Sequence, residues 1–158
     1  MKKFVSKMLA GALSLSMLCG VAAAEGETYV SWYTFGDVYL SSVRTALDAA
    51  MEAKGLKVVD KDSNANQQTQ TDDINTALVT GANAIVINLV ESGAIGTAEN
   101  LMNAVSAQNL PVVFFNRAVY TDNAEAEALF KGYDKSVFVG TDFTQAGIMQ
   151  GKMIGEYV

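Results

Sequence analysis

AIVIN, Ala84 to Asn88, is the stretch on which the fold turns. Four apolar residues, two of them β-branched isoleucines flanking a valine, read as a strand buried on both faces. Asn88 then interrupts with a side chain that wants several hydrogen-bond partners. A buried strand that ends so abruptly on an amide belongs to a parallel sheet whose strand ends carry polar work.

Working outward, two periodicities alternate along the chain. Tyr29 to Phe35 is rich in β-formers, and Leu40, Val43, Leu47, Ala50 and Met51 follow at helical spacing up to a stop at Lys54-Gly55. Leu56 to Val59 predicts a second strand, and Ile74, Ala77 and Leu78 a helix closed by Gly81. After Ala84–Asn88, Ser92 is placed to cap a helix with Ile95, Ala98, Leu101, Met102 and Val105 on one face. Pro111 opens a fourth strand, PVVFFN, and a polar linker is expected from Thr121 to Lys135. Val137 to Gly140 predicts a fifth strand, and Asp142 with Gln145 a capping box for a last helix. Gly147, Gly151 and Gly155 on that helix suggest close packing on a sheet. The order is α/β, a doubly wound parallel sheet with helices on both faces.

The first 24 residues are different material. Met1-Lys2-Lys3 and Lys7 give a positive start, Met8 to Val21 an uncharged apolar run, and Ala22-Ala23-Ala24 a small-residue cleavage site before Glu25. This is a secretory signal peptide, too short to span a membrane comfortably. Cys19, the one cysteine, reads either as a small apolar residue of that run or as a lipidated N-terminus; Leu18 before it favours the former.

Net charge is −6, and no basic patch is available to neutralise phosphates, so nucleic acid is excluded as a partner. The absence of histidine removes a Ser-His-Asp arrangement and an imidazole base. Neither GxGxxG nor GxxxxGK[ST] occurs, and Gly93-Ala-Ile-Gly96 reads as a tight turn. Asp60, Asp62, Asn64 and Asn66 resemble the start of a calcium loop, yet Ala65 stands where glycine is needed and Thr71 where a bidentate glutamate should be. A polar loop is the expectation there. An enzyme is not expected, and no cofactor.

Ligands of open parallel sheets bind beyond the carboxyl ends of the strands. Those ends carry Asp37 and Tyr39, Asn88, Asn116-Arg117, and Thr141-Asp142. Amides, carboxylates, a guanidinium and aromatics suit a neutral polyhydroxylated ligand. Each residue also has a plain structural reading. Asp37 and Asp142 can cap helices, Asn88 can satisfy loop backbone, Tyr39 can be core, and Arg117 can be a solvated charge.

YTFGDVYLSSVR, DDINTALVTGANAIVINLVESGAIGT, LPVVFFNR and VGTDFTQAGIMQGKMI together resemble the type I periplasmic sugar-binding proteins, and among them the galactose- and glucose-binding branch. The resemblance covers Tyr29 to Val158. It implies two α/β lobes with a pyranose clamped between them by a hinge motion. It also implies that the captured hexose passes to an ABC permease in the inner membrane and is often reported to a chemoreceptor. It further implies sugar hydroxyls on Asp37, ring stacking on Tyr39, ligand contact by Asn88, and sugar contact by Asn116-Arg117, where the chain crosses between lobes. The expected division is 1–24 signal peptide, 25–116 first lobe, nearly complete, and 117–158 crossover and start of the second lobe. The family's calcium loop and remaining ligands would lie beyond Val158, so this truncated part is expected to bind sugar weakly or not at all. Gly36 and Val38 replace polar residues common in the family, and the Tyr39 hydroxyl is an addition. The alternatives are a pentose binder and the sugar-sensing extracytoplasmic domain of a membrane receptor. The signal peptide argues against a sugar-responsive repressor, and the expected location is the periplasm.

Overall fold

The computed structural model describes residues 26–119, 123–141 and 143–157. The expected signal peptide and Asp142 lie outside them. The elements are β1 (Glu27–Trp32), α1 (Val38–Glu52), β2 (Lys57–Asp62), α2 (Gln67–Val79), β3 (Ala84–Ile87), α3 (Ile95–Ala107), β4 (Val112–Phe115), α4 (Asn123–Lys131), β5 (Ser136–Val139) and α5 (Phe143–Gly155).

All strands pair in parallel, in the order β2-β1-β3-β4-β5. The chain steps from β1 outward to β2, then back past β1 to β3. Right-handed crossovers require the helices of these opposite steps to lie on opposite faces. They do. One face packs Leu40, Val43, Leu47 and Met51 of α1 on Val30, Trp32, Val58 and Val86. The other packs Ile74 and Ala77 of α2 and Ala98, Leu101, Met102 and Val105 of α3 on Ile85, Ile87, Val112 and Phe114. Alternate residues of β3 therefore serve both layers, which is why AIVI carries no polar alternation.

Several expectations need correction. β1 ends at Trp32 rather than Phe35, because its pairing with β2 stops at Trp32 opposite Asp62. Ser92 does not cap α3: the N-cap position is Ala94, with no side-chain cap. The Ser92 hydroxyl donates instead to the Ala118 carbonyl at 3.0 Å. The polar stretch expected as a linker contains α4, whose Ala126 is buried and whose Leu129 and Phe130 pack on the core. β5 pairs in parallel with β4 at the end of the same sheet.

The glycines of α5 also differ from expectation. A methyl group at Gly147, Gly151 or Gly155 would meet no atom within 4 Å. Ile148, Met149, Met153 and Ile154 on the same helix are exposed. With room for a side chain and a helical backbone, Gly147→Ala and Gly151→Ala are each expected to favour α5 by about 0.8–1 kcal/mol. Helix content followed by circular dichroism through thermal unfolding checks this; a loss of helix would mean that the glycines face a packed surface.

Candidate functional site

The reversal of winding direction falls between β1 and β3, so the loops leaving their carboxyl ends diverge and open a crevice. Four of the five expected residues sit in or beside the loops leaving β1, β3 and β4, and Tyr39 on the adjoining first turn of α1.

Asp37 is the N-cap of α1. Its backbone is extended, and its Oδ1 accepts from the Leu40 N–H at 2.8 Å. One such bond uses part of a carboxylate's acceptor capacity. Capping and ligand contact are thus compatible. Tyr39 is 62% exposed, which removes the core alternative. An open groove of about 380 Å³ runs beside them, lined by Phe35, Gly36, Asp37, Val38, Ser41, Ser42 and Thr45. Arg44 stacks over Phe35 at 3.8 Å from the ring centroid.

Asn88 is fully buried, and its amide is spent on backbone. Oδ1 accepts from the Tyr33 N–H at 3.2 Å, and Nδ2 donates to the Phe115 carbonyl at 3.2 Å. Its plain structural reading is what the geometry displays: the side chain staples the β1 and β4 exits together and offers no surface to a ligand.

Asn116 has φ 61°, and the Arg117 N–H donates to the Phe115 carbonyl across it at 2.7 Å. A three-residue turn of that hand is rare and strained, and asparagine tolerates it better than most residues. The turn throws Arg117 back over the sheet edge. Arg117 Nε donates to the Leu89 carbonyl at 2.7 Å and Nη2 to the Val90 carbonyl at 3.1 Å. Its guanidinium carbon lies 4.2 Å from the Tyr33 ring centroid. Arg117 is a half-buried brace rather than a solvated charge.

Gln70, which sequence reading missed, completes the arrangement. Fully buried on α2, it donates Nε2 to Ser31 Oγ at 2.9 Å and to the Asn88 carbonyl at 3.1 Å, and accepts from the Val90 N–H at 2.9 Å. Gln67 Oε1 takes the Glu91 N–H at 3.0 Å. The segment after β3 is thus gripped by α2 from one side and Arg117 from the other. The signal for Gln70 was its spacing: it shares the buried stripe of α2 with Ile74 and Ala77.

The calcium-like residues have other duties. Asp60 Oδ1 accepts from Trp32 Nε1, Asp62 Oδ1 from the Phe35 and Asn64 N–H groups, and Asn66 caps α2 through the Thr69 N–H. Among the described residues, no group of three or more His, Cys, Asp or Glu could hold a metal ion. A larger groove of about 500 Å³ lies away from this edge, between α4 and β5, and none of the expected site residues lines it.

Residues 28–158 match the model of the periplasmic binding protein domain family. The chain belongs to that family. The D-galactose/methyl-galactoside binding periplasmic protein MglB of Haemophilus influenzae is 32% identical over 158 residues, covering 98% of this chain and 44% of the relative. The ribose import binding protein RbsB of Bacillus subtilis is 27% identical over 79% of this chain and 44% of its own length. This periplasmic binding protein chain thus spans less than half the length of the curated relatives it matches. Among solved structures, the periplasmic binding protein component of the arabinose ABC transporter from Shewanella sp. ANA-3, bound to α- and β-L-arabinofuranose, superposes with a TM-score of 0.68. That superposition covers 83% of this chain and 40% of the other at 18% identity, a likeness of fold.

Proposed function

We propose that this chain forms one wall of the ligand cleft of a periplasmic protein that captures a hexose, galactose or glucose first, for an ABC permease in the inner membrane. Delivery to a chemoreceptor is part of the same reading. What supports it is that Asp37, Tyr39, Asn116 and Arg117 all follow the carboxyl ends of strands in one parallel sheet, the first two after β1 and the last two after β4. Asp37 would accept sugar hydroxyls with the capacity its cap leaves over, and the exposed Tyr39 ring would cover the C–H face of a pyranose. Arg117, whose guanidinium lies over the Tyr33 ring, would present its outer edge. Asn88 enters as the residue that positions the Tyr33 and Phe115 loops. The galactoside-binding relative supports a hexose. A pentose is the second reading, favoured by the ribose-binding relative.

Titration of the purified chain with D-galactose, D-glucose, D-ribose and L-arabinose, followed by backbone amide resonances, tests this. D-Galactose or D-glucose is expected to shift Asp37, Tyr39 and Arg117 first, with an affinity weaker than millimolar from one wall alone. In a protein carrying both walls, Tyr39→Ala and Asp37→Ser, which keeps a capping oxygen, should each weaken binding at least about tenfold, or 1.4 kcal/mol. Unchanged affinity in both of these variants would overturn the assignment.

A further inference from the structure

We propose that the ligand drawn to this edge carries a carboxylate, as a hexuronate does, and that the Arg117 guanidinium is the group that receives it. The inference rests on the reading above for the place of the cleft and changes the class of sugar the cleft takes. Arg117 is half-buried at the exit of β4, directly after the turn at Asn116. Its side-chain partners among the described residues are the Leu89 and Val90 carbonyls and the face of Tyr33, none of which carries a charge. A cation taken partly out of water without a counter-ion is costly, and an anionic ligand relieves that cost.

The contacts also leave the matching part of the guanidinium open. Nε and Nη2 donate along one side of the group, at 2.7 and 3.1 Å, and the ring of Tyr33 lies against its plane. Both N–H groups of Nη1 and one of Nη2 remain. Together they make the end-on fork that fits the two oxygens of a carboxylate. The direction of the fork is held from below, because the Tyr33 N–H is bonded to the buried Asn88 side chain. Asn116 adds to this. A left-handed φ at a residue other than glycine persists where the surrounding structure enforces it, and here it turns Arg117 back over the sheet edge.

The carboxylates of this edge set the orientation of such a ligand. Asp37 follows Tyr33 along the β1 exit, with acceptor capacity beyond its bond to the Leu40 N–H. Glu91, after β3, accepts from the Thr97 hydroxyl at 2.7 Å. Either would repel a ligand carboxylate placed beside it. The acid end therefore goes to Arg117, and the hydroxylated ring goes toward Asp37, whose oxygens accept from hydroxyls. Arg44, which stacks over Phe35 at 3.8 Å, is the other cation bordering the loop and the rival for the same role.

Titration of the purified chain with D-galactose, D-galacturonate and the methyl ester of D-galacturonate, read from backbone amide and Arg117 Nε–H resonances, tests this. The ester keeps the ring hydroxyls and loses the charge. D-Galacturonate is expected to bind at least about tenfold more tightly than its ester, and the margin should shrink as salt is raised. Arg117→Gln should abolish the margin. Equal binding of acid and ester would overturn the proposal, as would a margin that survives Arg117→Gln or the absence of any shift with D-galacturonate. Equal binding with D-galactose shifts at Asp37 and Tyr39 would leave the hexose reading standing alone. A margin for the acid while D-galactose gives no shift would remove that reading and keep this one. Should Arg117→Gln fail to fold, Arg117→Lys, which keeps the charge but not the fork, is expected to reduce the margin, and an unreduced margin overturns the assignment.

Discussion

Gln70→Leu is expected to destabilise the chain by about 3 kcal/mol, because it strands buried polar groups while leaving side-chain volume nearly unchanged. The Val90 N–H and the Asn88 carbonyl lose their Gln70 partner, and Ser31 loses one of its hydroxyl contacts. Each buried donor or acceptor left unsatisfied costs about 1–3 kcal/mol. Leucine recovers part of this through apolar contact with the Ile74 layer. Gln70→Glu is a sharper comparison: it keeps an acceptor for the Val90 N–H but sets a fully buried carboxylate oxygen against the Asn88 carbonyl, so at neutral pH a loss at least as large as that of leucine is expected. Urea denaturation of the three proteins measures both. A loss below about 1 kcal/mol for leucine would mean that the segment after β3 is held without α2.

For Asn88→Ala the expected cost is about 2–4 kcal/mol, since the Tyr33 N–H and the Phe115 carbonyl are both left unpaired beside the space the amide filled. The same change should free the Tyr33 amide to exchange hydrogen faster than its neighbours in β1. Because Arg117 rests on the Tyr33 ring, its alignment over the edge should loosen as well. Asn88→Asp offers a sharper comparison: it retains an acceptor for Tyr33 but sets a carboxylate oxygen against the Phe115 carbonyl. It is expected to be at least as damaging as alanine at neutral pH. Unchanged exchange at Tyr33 in both variants would show that the staple bears no load.

The alternation of strand and helix was legible because the strands are short apolar runs buried on both faces, and each is closed by a clear stop. Gly55 and Gly81, read as helix stops, have φ 75° and 90°, the conformation a helix end most readily gives to glycine. α4 was misread because it lies in a stretch, Thr121 to Lys135, rich in charged residues, although alanine, glutamate and leucine are strong helix formers. There local propensity carried the signal and hydrophobicity concealed it. That these residues follow the strand ends was legible in the sequence, but the contacts each of them makes were not. Sequence marks Asn88 as an amide at an edge; only the three-dimensional path of Tyr33 and Phe115 shows that backbone, not solvent, surrounds it. Arg117 gives no hint of folding back, since the turn at Asn116 that redirects it rests on one unusual φ. The spacing of the α5 glycines implied a partner surface that the described residues do not supply.

The position of β1 in the sheet sets an order of assembly. β1 is made first, yet it lies between β2 and β3, with Trp32 paired opposite Asp62 and Ser31 opposite Ile87. A chain emerging amino end first can close one side of this strand once Asp62 is available, and must keep the other side open until Ile87 has emerged. Each closure joins parallel strands through an intervening helix, a non-local step that slows folding and lengthens exposure of unpaired edges. Nucleation is therefore expected in the β1–α1–β2 unit, whose members are adjacent in sequence, with β3 adding next and β4 and β5 growing outward from it.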